Sequence, residues 1–161
     1  MPASFTSTDS ESEISARGNP DAIQNGRKPL YLDKTPIETS LKIEDRLKIF
    51  SEMVLKVSTS GAILEASRLI FAESGRFPEL AQAQKTRIAV GHHQIAKIIK
   101  AYVNRKEISC RDPEGAANFL NLILGGWCAS VIITNHFVSP RELDTFVDNT
   151  VKMFVDALPS W

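Results

Sequence analysis

Residues Arg68–Leu80, RLIFAESGRFPEL, have the pattern of a helix that ends and is followed at once by another helix. Gly75 is typical of the position just past a helix end, and Pro78 of the first position of a new helix. Glu73 is unexpected, because at helical spacing it falls on an apolar face. That face is formed by Ala62, Ile63, Ala66, Leu69 and Ile70. The stretch therefore predicts two helices joined by a tight corner, with a carboxylate on an apolar face beside it.

The composition is that of one globular domain without an excess of charge. The chain has 161 residues, 43% of them hydrophobic, and 19 basic and 19 acidic residues give a formal net charge of zero. This balance argues against a protein that binds nucleic acid mainly through the phosphate backbone. The two cysteines, Cys110 and Cys128, lack CxxC spacing, so neither a disulfide framework nor a zinc site is predicted. Reduced thiols and the absence of a signal peptide predict a cytoplasmic protein.

Helix start signals divide most of the chain into five helices. Residues 1–34 are rich in Ser, Thr, Asp, Gly, Asn and Pro, so we predict a disordered segment followed by an all-helical domain over 35–161. The first helix follows the capping box Thr35-Pro36-Ile37-Glu38, and the second runs from about residue 62 to 74. The others begin at Pro78, at Pro113 behind the N-cap Asp112, and in the capping box Ser139-Pro140-Arg141-Glu142. No segment has the alternation of a strand, so the predicted fold class is all-α.

The position of Glu73 has a structural and a functional interpretation. The tight break places its carboxylate near the first turn of the next helix, where amides lack intrahelical partners and the helix dipole is positive. Glu73, Arg76 and Pro78 are therefore predicted to form a structural corner, with Arg76 as a second partner of the carboxylate. The alternative is that Glu73 faces a cavity and contacts a ligand.

Two stretches of the sequence resemble one protein family. RLIFAESGRFPELA, residues 68–81, is similar to the start of the C-terminal regulatory domain of TetR/AcrR-type transcriptional regulators, in particular the AefR-like group. EISCRDPEGAANFL, residues 107–120, resembles a second motif of that family, a polar turn followed by Asp-Pro, two small residues and Phe. The separation of the two motifs also matches, and the resemblance extends over about residues 41–158.

The resemblance implies a five-helix domain that senses an effector and dimerises. In this family a three-helix DNA-binding domain precedes that region and reads DNA with a helix-turn-helix. Here the residues before the first predicted helix contain no helix-turn-helix pattern. We therefore expect the sensor half of such a regulator without its reader, and no direct binding of nucleic acid by this chain.

The stretch from Gly115 to Pro140 contains no Asp, Glu, Lys or Arg, and it is long enough to cross a membrane. Its asparagines and the lack of flanking basic clusters argue instead for a helix buried between neighbours. Two stripes run along it at helical spacing. One consists of Ala116, Leu120, Ile123, Trp127 and Val131, and the other of Phe119, Leu122, Gly126, Ser130 and Ile133. We expect one stripe to line the core and the other to meet a second subunit.

The resemblance implies that the last two helices of two chains form a four-helix bundle, so that the protein partner is a second copy of the chain. The residues predicted for this dimer interface are Leu120, Leu124, Val131, Phe146, Val147, Thr150 and Phe154. Gly125 and Gly126 each cost about 1 kcal/mol relative to Ala inside a helix. Close helix approach, or space for a ligand beside Trp127, would account for them, and we favour close approach.

A small apolar or amphipathic effector is the second partner that the resemblance implies. Its predicted contacts are large or polar side chains on inward stripes, for which core packing is the alternative: Phe50, Val54, Phe71, His92, Phe119, Ile123 and Trp127. His92 and His93 are adjacent in a helix and point about 100° apart, so they cannot hold one metal together. The sequence contains no catalytic motif, metal site or cofactor fingerprint, so neither an enzyme nor a cofactor is predicted.

Two other functions remain open. The chain can be a helical dimeriser that binds no ligand and traps a full-length regulator in inactive heterodimers. It can also be a small membrane-associated helical protein, which would use its uncharged helix as an anchor.

Overall fold

A computed structural model of the protein describes residues 41–161, and in this part of the chain it confirms the all-α fold. The helices are α1 (Ile43–Ser58), α2 (Gly61–Glu73), α3 (Pro78–Asn104), α4 (Pro113–Thr134) and α5 (Pro140–Ala157), followed by a 3-10 turn at Leu158–Ser160. The segment 1–34 and the capping box at 35–38 lie outside the described residues. Three helices begin on a proline, as predicted, at Pro78, Pro113 and Pro140.

The predicted caps of the last two helices are present. Asp112 accepts a hydrogen bond from the Gly115 amide through Oδ1 at 2.9 Å, and Ser139 accepts one from the Glu142 amide through Oγ at 3.2 Å. Each bond satisfies an amide that has no partner inside the helix. The Glu142 carboxylate lies 2.9 Å from Nε2 of His136, in the loop before α5. The carboxylate of Glu142 therefore bonds to the loop before α5, while its amide takes part in the cap of that helix.

The core lies where α4 packs along α3 and where α5 packs along α1. Its fully buried side chains come from all four of these helices and from the final turn: Leu47, Leu55, Ile95, Ile99, Tyr102, Leu120, Val147, Val151 and Leu158. The Tyr102 hydroxyl donates a 2.6 Å hydrogen bond to the carbonyl of Leu41. A buried phenol thus keeps its polar group satisfied and joins the end of α3 to the residues before α1.

A side chain of α4 approaches the backbone of α3 closely at Gly91. A Cβ built on Gly91 would lie 2.6 Å from Oδ1 of Asn121, so a side chain there would displace that amide. The amide of Asn121 also donates a 3.2 Å hydrogen bond to the Ile88 carbonyl. Gly91 therefore permits a side chain of α4 to bond to the backbone of α3.

Helix α4 is long and apolar enough, by length and composition, to cross a membrane. A third of its most apolar segment, 33%, is buried inside the protein. The central helix of a globular protein passes the same test, so the finding is weak support for a membrane span.

Candidate functional site

The corner between α2 and α3 is built from the backbone as well as from the predicted side chains. The amides of Arg76 and Phe77 donate to the Glu73 carbonyl at 2.9 and 3.0 Å. The Glu73 carboxylate lies 3.4 Å from a guanidinium nitrogen of the exposed Arg76. Arg76 is therefore the ion-pair partner of this carboxylate. The hydrogen bonds from the two amides before α3 are accepted by the backbone carbonyl of Glu73 and not, as the sequence had predicted, by its carboxylate. An exposed pair at this distance contributes little to stability.

Three of the predicted effector contacts are engaged with separate neighbours. Trp127 stacks on Phe146 of α5, with ring centroids 4.9 Å apart and planes 16° from parallel. Phe119 packs against Trp161 at a centroid distance of 5.3 Å. His92 Nε2 lies 3.1 Å from both the carbonyl and the carboxylate of Glu114, in the first turn of α4.

The other four predicted contacts differ in burial. Phe50 is buried in the core, Val54 and Ile123 are half-buried, and Phe71 is exposed. The seven residues thus differ in their neighbours and in their burial, and their role in one effector site remains a prediction. Val54 of α1 and Phe71 of α2 do, however, lie one helical turn from residues of a polar cluster that the sequence did not reveal.

That polar cluster joins all of the first four helices. Arg87 of α3 donates to Oγ of Ser58 in α1 at 2.8 Å and to Oγ of Ser67 in α2 at 3.3 Å. Both serines are buried, whereas Arg87 itself remains exposed. Ser67 Oγ also donates to the Ile63 carbonyl at 2.8 Å, so it accepts from Arg87 and donates to its own helix. Cys128 of α4 is the fourth member of this cluster.

The thiol of Cys128 is neutral in this environment. Burial raises its pKa above 9.0, while the positive charge of Arg87 and a hydrogen bond from Ser58 oppose that rise. The cluster therefore presents one cation, two hydroxyls and an uncharged thiol. Among residues 41–161, no carboxylate lies within ion-pairing distance of Arg87.

The two stripes of α4 differ in exposure. The stripe Ala116, Leu120, Ile123, Trp127 and Val131 is buried or half-buried, and the stripe Phe119, Leu122, Gly126, Ser130 and Ile133 is exposed. Leu122 and Ile133 are 59% and 71% exposed. The helix thus turns one apolar face inward and an equally uncharged face outward.

The residues predicted for a dimer interface differ in burial, and their role in an interface remains a prediction. Five of them are buried in the chain's own core, at Leu120, Leu124, Val131, Val147 and Phe154, and Phe146 and Thr150 are half-buried. A side chain that already packs the core of its own chain leaves little surface for contact with a partner. The sequence did not distinguish the faces, because α4 is apolar all round and has no charged side to mark the outside.

Comparison with known proteins identifies the class to which this helical domain belongs. Residues 45–157 match the family model of the AefR-like transcriptional repressor C-terminal domain. The chain therefore belongs to that family, a branch of the TetR-type C-terminal domains. No curated protein and no solved structure matches the chain significantly. The resemblance seen in the two sequence motifs is thus confirmed.

Proposed function

We propose that residues 41–161 form a cytoplasmic effector-binding and dimerisation domain of a TetR-type regulator. The observation that carries this proposal is the exposed, uncharged face of α4 in a chain of this family. Exposed apolar patches rimmed by polar residues mark interaction sites. A second copy of the same chain is the partner that such a face fits, because a two-fold axis brings a patch into contact with itself.

The glycines of α4 support a close approach on this face. A Cβ built on Gly125 or Gly126 meets no atom of the described chain within 4 Å, outside its own helix. Packing inside the protomer therefore gives no reason for two residues that each weaken a helix by about 1 kcal/mol. A helix of a second subunit crossing at these glycines would supply the reason.

Helix α5 also has an exposed, uncharged row of side chains that can take part in a four-helix bundle between two subunits. Its exposed residues include an uncharged row at helical spacing, formed by Thr145, Asn149 and Met153. We propose that this row and the outward face of α4 form the interface, in place of the buried residues chosen from sequence.

The regulatory mechanism that we propose is a population shift. A small amphipathic effector binds among α1–α4 and favours one arrangement of the dimer by its differential affinity for that arrangement. In a regulator of this type, the arrangement of the dimer sets the separation of its two DNA-binding domains. A change in DNA binding therefore requires a DNA-binding domain that is joined to this domain or paired with it.

The first test is the solution mass of the purified chain, measured by light scattering without detergent. We expect a dimer of about 36 kDa, twice 17.8 kDa. Leu122→Lys should convert it to a monomer, because it places a charge in the proposed interface. Leu69→Lys is the matched control, since Leu69 of α2 is 61% exposed, against 59% for Leu122.

A folded wild-type monomer of 17.8 kDa would overturn the dimerisation proposal. Equal effects of the two lysine variants would place the interface elsewhere. Insolubility without detergent would favour the membrane-associated alternative. A dimer that binds no amphipathic ligand would instead favour the ligand-free dimeriser that traps full-length regulators.

A further inference from the structure

We infer that the effector is an amphipathic carboxylate, whose head group is bound by Arg87 between α1, α2 and α4. This inference rests on the proposed effector-binding function, and it specifies the chemistry of the ligand. It is carried by the polar cluster of Ser58, Ser67, Arg87 and Cys128.

The first step is the position of the guanidinium. Its two terminal nitrogens are held by Ser58 and Ser67, which lie 29 and 20 residues earlier in the chain. Both hydroxyls are buried in the protein, so they fix the plane of the guanidinium in the space between three helices. A guanidinium has more N–H donors than these two bonds use, and they point in one plane. A carboxylate can accept from two of those donors at once, in a bidentate and charge-assisted pair.

The second step is the charge balance. Carboxylates of α1 and α2 are paired with other cations. Glu52 of α1 pairs with Lys56, and Glu65 and Glu73 of α2 pair with Arg68 and Arg76. The Cys128 thiol carries no charge either, because burial keeps it protonated. In the described part of the chain, the cation therefore faces neutral groups, and an anionic ligand would complete the site.

The third step is the apolar surroundings. Each of three cluster residues has an apolar side chain one helical turn away on its own helix. Val54 neighbours Ser58, Phe71 neighbours Ser67, and Leu124 neighbours Cys128. Val54 is half-buried, Phe71 is exposed and Leu124 is buried, so each helix that contributes a polar group to the cluster carries an apolar side chain next to it. A ligand with an anionic head and an apolar tail matches both kinds of group, whereas a cation would be repelled by Arg87 and a small inorganic anion would leave the exposed ring of Phe71 in water.

A purely structural role for Arg87 would consist of tying α1 and α2 to α3. That role predicts a loss of stability when Arg87 is replaced, but no dependence of ligand affinity on the head group. The two roles are therefore distinguished by comparing ligands that share a tail and differ only in charge.

The experiment is isothermal titration calorimetry of the full chain with decanoate and with 1-decanol. We expect decanoate to bind at least about tenfold more tightly than decanol, as charge-assisted hydrogen bonds allow. Arg87→Gln should abolish this preference and leave decanol binding unchanged. Lys85→Gln is the matched control, because it removes one positive charge from an exposed position of the same helix and should keep the preference.

Arg87→Lys is a second variant, which keeps the charge and removes the planar fork. We expect it to fold and to retain part of the preference for decanoate, so a failure of Arg87→Gln to fold would not prevent the test. Equal binding of decanoate and decanol by the wild type would overturn the carboxylate inference and leave the effector-binding proposal in place. Binding of neither ligand would overturn both, while the solution mass would still decide dimerisation on its own.

Discussion

Helix α3 has two halves that differ in how the rest of the protein covers them. At helical spacing one stripe runs along its whole length: Leu80, Gln84, Ile88, His92, Ile95, Ile99 and Tyr102. In the structure the buried residues of α3 begin only at Ile95. Ile99 is 0% exposed and Ile88 is 47% exposed, although both belong to the same stripe. We refer to residues 78–94 as the open half and to residues 95–104 as the closed half.

The difference between the halves follows from their neighbours. The closed half lies against α1 and α4, which supply large apolar side chains such as Leu47 and Leu120. The open half is faced by α2, whose buried residue is Ser67, and it meets α4 through polar groups such as the Asn121 amide. The polar cluster around Arg87 lies in this open half. The fold therefore separates a part of the helix that holds the domain together from a part that remains accessible to a ligand.

The largest expected effect is a matched truncation in the two halves of α3. Ile99→Ala should lower the free energy of unfolding by about 2–5 kcal/mol, because it removes buried methyl groups and leaves a cavity. Ile88→Ala should lower it by less than about 0.5 kcal/mol, since the side chain is largely in water already. Chemical denaturation of both variants measures the difference directly.

A similar loss at both positions would show that the open half is covered in solution, by a partner or by residues outside 41–161. The two halves would then not differ in coverage, and the open half would not be accessible to an effector at Arg87. Because both substitutions are Ile→Ala in one helix, helix propensity cancels from the comparison.

A smaller effect is expected from hydrogen bonds in the two halves. Tyr102→Phe removes the donor to the Leu41 carbonyl but keeps the ring that lies 4.2 Å from the Arg105 guanidinium. We expect a loss of about 1 kcal/mol in the free energy of unfolding. Asn121→Ala, which removes the bond to the Ile88 carbonyl in the open half, should cost less, because water can replace an exposed partner. Chemical denaturation measures both losses. Equal losses of unfolding free energy for Tyr102→Phe and Asn121→Ala would contradict the division of α3 into an open and a closed half.

The sequence predicted the helices well because their boundaries depend on local chemistry. Proline at the first position, together with the side chains of Asp112 and Ser139, specifies where α4 and α5 begin, whatever packs around them. The corner at Gly75 was predicted for the same reason. None of these signals involves residues more than a few positions apart.

Burial and the candidate site could not be read in the same way. Arg87 looks like any exposed cation of a helix, and its significance depends on Ser58 and Ser67 in two other helices. Periodicity likewise identified both faces of α4 but gave no means of choosing the inner one. The polar cluster and the inner face of α4 both depend on which helices pack together. Packing of this kind is a matter of long-range contacts, which local sequence patterns do not reveal.

The smallest expected effect concerns Glu114, which binds to both halves of α3 at their boundary. Its carboxylate lies 2.5 Å from Nζ of Lys100 and 3.1 Å from Nε2 of His92. The hydrogen bond from Lys100 is the main cause that lowers the pKa of Glu114 below its usual 4.5. Because the folded pKa is the lower one, the ion pair stabilises the fold above about pH 4.5, and this contribution is lost as the pH falls through the folded pKa.

Two substitutions separate the halves at this residue. Lys100→Met should raise the pKa of Glu114 back toward 4.5, whereas His92→Gln should raise it less, because the imidazole contributes only a weaker charge effect. The measurement is an NMR titration of the Glu114 side-chain carboxyl at low ionic strength, since added salt screens an exposed pair. A larger change with His92→Gln would mean that the open half holds the first turn of α4. A larger change with Lys100→Met would place that anchor in the closed half, where the core begins.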